Sequence, residues 1–302
     1  MARIQFIGLG TMGSPMVTRL TEAGHAVWVT DANPDAVARI VAATGARAWS
    51  EPAPPDGIDV LLLMLPNSGV VEAVLGSAEE PGALASAIDP STVVLDMSSS
   101  HPDSTTALAA MLAGRGVALV DAPVSGGPVR AASGELAIMV GGAGDDATWE
   151  RVRSVLEALG TSITRTGPAG SAHALKALNN LLSVIGIVGA VEVLQVGRKF
   201  GLEPGVMLDV INQSTGRNHA TQVKLAPQVL DRGWNVGFSL ELTVKDVLTA
   251  LGLAESQGVR VPVSEAAVQV ARDALASLSG SPADQSQIAQ YLETLNGVSL
   301  AR

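Results

Sequence analysis

Six residues near the start of the chain, Gly8-Leu9-Gly10-Thr11-Met12-Gly13, restrict the fold more than any other segment. They follow an apolar, strand-like run at residues 4–7 and open a helical pattern at 11–23. In that setting a G-x-G-x-x-G spacing signals a dinucleotide rather than a plain turn. Gly8 permits the tight turn, Gly10 lets the backbone approach a pyrophosphate, and Gly13 lets the helix pack close to the strand, while the N–H groups at the helix start face the phosphates. Asp31 follows the next strand-like run, 26–30, and stands 18 residues beyond Gly13. This is close to the ~20 residues expected of a carboxylate that binds a ribose 2′-hydroxyl. A 2′-phosphate would want a cation there, and Ala32-Asn33-Pro34-Asp35 supplies none before Arg39, so the electrostatics favour NAD over NADP.

The first half of the chain repeats this strand-then-helix pattern. Strand-like runs at 4–7, 26–30, 60–65, 93–96, 118–120, 137–140 and 162–164 alternate with helical patterns at 11–23, 34–43, 69–75, 104–113 and 145–159. Such alternation predicts βαβ units and a parallel sheet. In an open sheet of this kind ligands collect at the carboxyl ends of strands near the switch in strand order, where Leu65-Pro66 and Ser98-Ser99 stand. An equally good local reading is that Pro66 ends a strand and Ser98 to Ser100 cap a helix. After Gly167 the alternation stops: residues 171–200 read as one long helix, followed by helices at 204–212, 220–229, 240–257, 263–277 and 286–295. The predicted class is α/β: a Rossmann-type doubly wound domain at 1–167, joined by a long helix to an all-α domain at 168–302.

Composition narrows the function. Hydrophobic residues make up 47% of the 302 and aromatics only 3%, so the core must be built from Ala, Val, Leu and Ile. The formal net charge is −10 and no cluster of Lys and Arg could track a phosphate backbone, which argues against nucleic acid as a partner. There is no cysteine, and His25, His101, His173 and His219 lie far apart, so no metal site is expected. Residues 181–191 carry no charge, but eleven residues fall short of the ~20 needed to span a bilayer, and a buried helix is predicted instead. The chain opens directly on its first strand-like run, without the pattern of a secretory leader, and is expected in the cytoplasm.

Two further segments carry chemistry. Asp121-Ala122-Pro123-Val124-Ser125-Gly126-Gly127 follows a strand and offers a hydroxyl and exposed backbone N–H groups that can fold around a carboxylate, unless it is a plain turn before a helix. Lys176 begins the long helix, and Asn180, four residues on, shares its face. Oxidising an alcohol needs a base for the hydroxyl proton as hydride leaves, and a lysine serves where burial brings its pKa toward the working pH. The default for a lone lysine is a solvated surface position, and His173, one turn earlier, reads more readily as structural.

Taken together, Ile7 to Met16, Asp121 to Gly127, Gly170 to Asn180 and the pair Lys245-Asp246 resemble, in order and spacing over nearly the whole chain, the β-hydroxyacid dehydrogenase family, which includes 3-hydroxyisobutyrate dehydrogenase and tartronate semialdehyde reductase. The resemblance implies hydride transfer between NAD and the β-hydroxyl of a small anionic 3-hydroxy acid, with Lys176 as the acid/base. It implies that Ser125, Gly126, Gly127 and Asn180 position the substrate, that Leu65, Pro66 and Ser99 line the NAD pocket, and that Lys245 reaches the cofactor and active site. It also implies a homodimer or homotetramer assembled through the second domain. Ser99 stands where many relatives carry Thr, and Val70 where they often carry Asn. Arg217, in a turn similar to a family segment that closes over substrate, offers a partner for a carboxylate, phosphate or sulfonate, or is simply exposed. Two alternatives stay open: an imine reductase on the same architecture, against which Lys176 and Asp31 count, and a nucleotide-binding regulator without catalysis.

Overall fold

In the computed structural model, which describes residues 1–77, 80–278 and 282–302, the apolar runs of the first half become the strands of one nine-stranded sheet. Its strands are β1 (Arg3–Ile7), β2 (Ala26–Thr30), β3 (Arg47–Ala48), β4 (Val60–Leu63), β5 (Val93–Asp96), β6 (Ala118–Asp121), β7 (Val124–Ser125), β8 (Leu136–Gly141) and β9 (Gly160–Gly167). The order is β3-β2-β1-β4-β5-β6-β8-β7, with β9 beside β8. The first six strands run parallel, β8 turns antiparallel to β6 and β7, and β9 returns parallel to β8. The chain starts at β1, works outward to β3, then returns to lay β4 on the other side of β1. The order therefore switches between β1 and β4, and the carboxyl ends of those strands face a crevice.

Parallel strands buried on both faces read as continuous apolar runs, and β4 shows why. Val60 and Leu62 join Met16, Val17 and Leu20 of α1 (Gly13–Glu22) on one face. Leu61 and Leu63 join Val71 and Leu75 of α3 (Ser68–Leu75) on the other, with Leu108 and Leu112 of α5 (Pro102–Ala113). Between them in the chain, α2 (Pro34–Thr44) starts as the sequence suggests, with Pro34 in its first turn and the Asn33 side chain accepting the Asp35 N–H at 3.0 Å. The helices α4 (Ala83–Ala87) and α6 (Gly127–Ser133), and the two-residue strands β3 and β7, are too short to leave a periodic signature and were not expected. The unit is completed by α7 (Asp146–Leu159).

The chain divides into two compact units, Met1–Lys176 and Ala177–Arg302. The composition shift near Gly167 marks the start of α8 (Ser171–Phe200), a helix that begins in the first unit and continues into the second. The second unit adds α9 (Pro204–Asn212), α10 (Leu240–Ser256), α11 (Pro262–Ser277) and α12 (Ile288–Asn296). By length and apolar composition α8 is able to cross a membrane. Its Val184, Ile187, Val191 and Leu194, however, pack into a core with Leu208, Val247, Ala271 and Leu292, as in the core helix of a globular domain. Residues 220–229, expected as an ordinary helix, form two π-helical turns, Ala220–Lys224 and Ala226–Leu230. Pro227 lacks an N–H and its ring crowds the carbonyl one turn back, and the wider turn relieves that crowding.

A buried carboxylate fixes the start of α8. The N–H groups of Gly170, Ala172 and His173 donate to Asp121, at the end of β6, at 2.8, 3.0 and 3.0 Å. The negative charge also meets the positive end of the helix dipole. His173 is equally buried: its Nε2–H donates to the Ser98 carbonyl at 3.0 Å and its Nδ1 lies 2.8 Å from Thr105 Oγ1. Asp121→Ala would leave three buried N–H groups without their acceptor, for an expected loss of about 3 kcal/mol. A thermal melt reads this directly, and a melting temperature equal to that of the parent chain would remove Asp121 as the anchor.

Candidate active site

The three glycines of the turn after β1 differ in their surroundings. Gly8 has φ +105°, a conformation side chains avoid, and a Cβ there would overlap the Met64 carbonyl oxygen beyond β4. A Cβ on Gly13 would overlap the Gly8 carbonyl oxygen and press on the Phe6 ring, so this glycine sets how closely α1 approaches β1. Gly10 differs: a Cβ there meets nothing within 4 Å, and the residue is exposed along with Thr11. The open backbone at Gly10, between two glycines closed in by protein, fits the approach of a pyrophosphate. Met12 is half-buried, and the Leu9 side chain lies in the core, so only the Leu9 backbone faces the turn.

Asp31 binds this turn directly. Its carboxylate accepts the Leu9 N–H at 2.6 Å and the Asn33 N–H at 2.7 Å, tying the end of β2 to the glycine loop. Leu65 and Pro66 lie just past β4, across the switch from the glycine turn, with Leu65 half-buried and Pro66 exposed. The two serines after β5 separate in role. Ser98 is fully buried and its hydroxyl accepts the Leu65 N–H at 2.9 Å, while Ser99 is half-exposed beside it. Ser98 thus holds the loop and Ser99 faces outward.

Lys176 and the Ser-Gly-Gly segment converge although Lys176 stands 52 residues beyond Val124. The Lys176 Nζ donates to the Val124 carbonyl at 2.7 Å, immediately before Ser125. Val124 and Ser125 form β7 against Ile138 and Ala137 of β8. Gly126 and Gly127 follow with φ +134° and +69°, both in conformations that favour glycine, and Gly127 opens α6. Asp121 heads this segment and also caps the helix that carries Lys176.

In the second unit Asn180 is oriented by a partner the sequence did not reveal. Its Nδ2 donates to Asp246 Oδ2 at 2.7 Å, and the Lys245 Nζ lies 3.0 Å from Asp246 Oδ1. Asp246 is nearly fully buried and bridges the two. The pair Lys245-Asp246 was visible, but only the pairing of α8 with α10 gives Asp246 its orienting role. Arg217 is exposed in the turn after α9. Among the described residues no group of three or more His, Asp or Glu is arranged to hold a metal ion. A separate open cleft of ≈ 840 Å³, lined by Ala113, Leu119, Gly142, Arg165 and Ala169 among others, includes neither the glycine turn nor Lys176.

Known proteins are similar to the chain in sequence and fold. Residues 3–167 match the NAD binding domain of 6-phosphogluconate dehydrogenase, and residues 170–292 match the NAD-binding domain family of NADP-dependent 3-hydroxyisobutyrate dehydrogenase. The chain is 35% identical over 299 residues to 2-(hydroxymethyl)glutarate dehydrogenase of Eubacterium barkeri, covering 99% of this chain and 97% of that protein. It is 37% identical over 278 residues to NAD-dependent L-serine dehydrogenase of Pseudomonas aeruginosa, covering 90% and 92%. The solved structure of Mycobacterium tuberculosis 3-hydroxyisobutyrate dehydrogenase with L-serine superposes with a TM-score of 0.86 at 30% identity, covering 97% of this chain and 99% of that one. The glycine turn, the sheet switch and these matches lead to one conclusion: the chain belongs to the β-hydroxyacid dehydrogenase family and is an NAD(P)-dependent oxidoreductase of hydroxy acids.

Proposed function

We propose that the chain interconverts a small 3-hydroxy acid and its carbonyl product, with Lys176 exchanging the hydroxyl proton and NAD preferred over NADP. The observation that carries this reading is the 2.7 Å hydrogen bond from Lys176 Nζ to the Val124 carbonyl, which brings a basic side chain to the Ser125-Gly126-Gly127 segment. A bound nicotinamide dinucleotide supplies the hydride acceptor. In the oxidative direction the neutral Lys176 amine takes the hydroxyl proton as the C–H bond gives up hydride, and the oxygen becomes the carbonyl. The Ser125 hydroxyl and the backbone at Gly126 and Gly127 are assigned to the substrate carboxylate, and Asn180, oriented by Asp246, to the substrate's polar groups. Lys245, Leu65, Pro66, Ser99 and the glycine turn are assigned to the cofactor.

The substrates named for relatives, L-serine, 3-hydroxyisobutyrate and 2-(hydroxymethyl)glutarate, share one fragment: a hydroxymethyl group beside a carboxylate. That fragment is assigned to Lys176, the Ser125-Gly126-Gly127 segment and Asn180 of this chain, and substrate identity to the substituent at C2. Lys176→Ala is expected to lower kcat by about 10²- to 10⁴-fold, the usual worth of general acid–base catalysis. Full kcat in a normally melting variant would end the assignment. Asp31→Ser should raise the NADP-to-NAD ratio of kcat/KM by about tenfold, equivalent to ~1.4 kcal/mol; an unchanged ratio would mean that Asp31 does not set the preference.

The same reading includes self-association through the second unit. Leu182, Val193, Val196 and Phe200 of α8 and Val206 and Val210 of α9 are large apolar side chains left exposed. Clustered apolar exposure of this kind marks an interface, here assigned to a second copy. Light scattering should give a dimer or tetramer, reduced to smaller species by Val196→Glu. A parent chain that is monomeric at micromolar concentration would refute it.

A further inference from the structure

Lysine is scarce in this chain: of 19 basic residues only Lys176, Lys199, Lys224 and Lys245 are lysines. Lys176 and Lys245 belong to the site already described, and Lys199 is exposed near the end of α8. Lys224 is half-buried at the end of the first π-helical turn. Its ammonium donates to Ser183 Oγ at 3.0 Å and to Gln285 Oε1 at 2.6 Å, both neutral partners.

None of the ion pairs among the described residues includes Lys224. Asp284 acts on it only from a distance, because its oxygens accept from the N–H groups of Gly237 and Ser286 and from the Ser286 hydroxyl. Burial pushes the Lys224 ammonium below the usual lysine range, against the weaker pull of Asp284. His219, five residues earlier, is pushed down by its own burial and then by the Lys224 charge. A partly desolvated cation held by dipoles alone gains from an incoming anion more than a solvated one does. An ammonium has three donors, and two of them find partners among the described residues.

The position of Lys224 says which anion. Ser183 lies three residues beyond Asn180 on α8, about 4.5 Å along the helix axis at ~1.5 Å per residue. Lys176, Asn180 and Ser183 recur at i, i+4 and i+7, which places them on one helix face. The Ser183 turn of α8, where Lys224 is held, therefore lies within the reach of an arm of about two or three carbons from Asn180. We propose that Lys224 is a specificity-determining residue that binds a second carboxylate, carried on the C2 substituent of the 3-hydroxy acid, so that hydroxy-dicarboxylates are the preferred substrates. This rests on the assignment of Asn180 to substrate made above.

The test compares kcat/KM for 2-(hydroxymethyl)glutarate, its monomethyl ester at the remote carboxyl, and 3-hydroxyisobutyrate, with NAD and NADP. The parent enzyme should favour the diacid over both monoacids by tenfold or more, chiefly through KM. Lys224→Met, of matched length without charge, should reduce that ratio at least tenfold, and Lys224→Arg should retain most of it. Equal rates for diacid and ester in the parent enzyme would overturn the inference without any variant, as would a Lys224→Met enzyme that keeps the full ratio. In both cases turnover of 3-hydroxyisobutyrate would leave the dehydrogenase reading standing. If none of the three acids is oxidised with either cofactor, that reading fails and this inference with it.

Discussion

The Asp121 carboxylate is the interaction on which the proposed chemistry depends. A fully buried negative charge is tolerated because three N–H groups at the start of α8 bind it in good geometry and the helix dipole adds to them. Asp121 ends β6 and leads within four residues to Ser125, so the proposed substrate loop and the helix bearing Lys176 are positioned from one point. The Lys176 bond to the Val124 carbonyl closes the same circuit from the other side. Proton transfer is sensitive to placement at the scale of an ångström, and a shared anchor keeps errors in the two elements from accumulating.

The cofactor end follows a different logic, in which space rather than charge decides. Gly8 and Gly13 are enclosed by protein atoms, and the turn between them is open at Gly10 and Thr11. Asp31 then links the loop to the neighbouring strand through the Leu9 N–H. The same carboxylate is thus structural toward the loop and, in the proposed reading, selective toward the ribose. Ser98 plays a comparable part under Leu65.

The sequence made the parallel sheet and the glycine turn legible because their signals are local. A fully buried parallel strand must be a continuous apolar run, as in Val60-Leu61-Leu62-Leu63, and a glycine spacing is read within six residues. The first strand limits were close, although 60–65 proved to end at Leu63 and 162–164 to extend over Gly160–Gly167. What escaped were pairings between distant segments: Asp121 with the start of α8, Asn180 with Asp246, and Lys224 with Ser183 and Gln285. No periodicity encodes such contacts. The π-helical turns escaped for a related reason, since their apolar spacing over so few residues differs too little from that of an α-helix.

The near absence of lysine has a practical side. Amine-directed reagents meet one exposed lysine side chain, Lys199, and otherwise only the half-buried Lys176, Lys224 and Lys245, while the remaining basic side chains are arginines that such reagents ignore. Acylation or lysine-based immobilisation would therefore reach this protein first at Lys199, near the end of α8, and a bound ligand would shield only those half-buried lysines that it contacts.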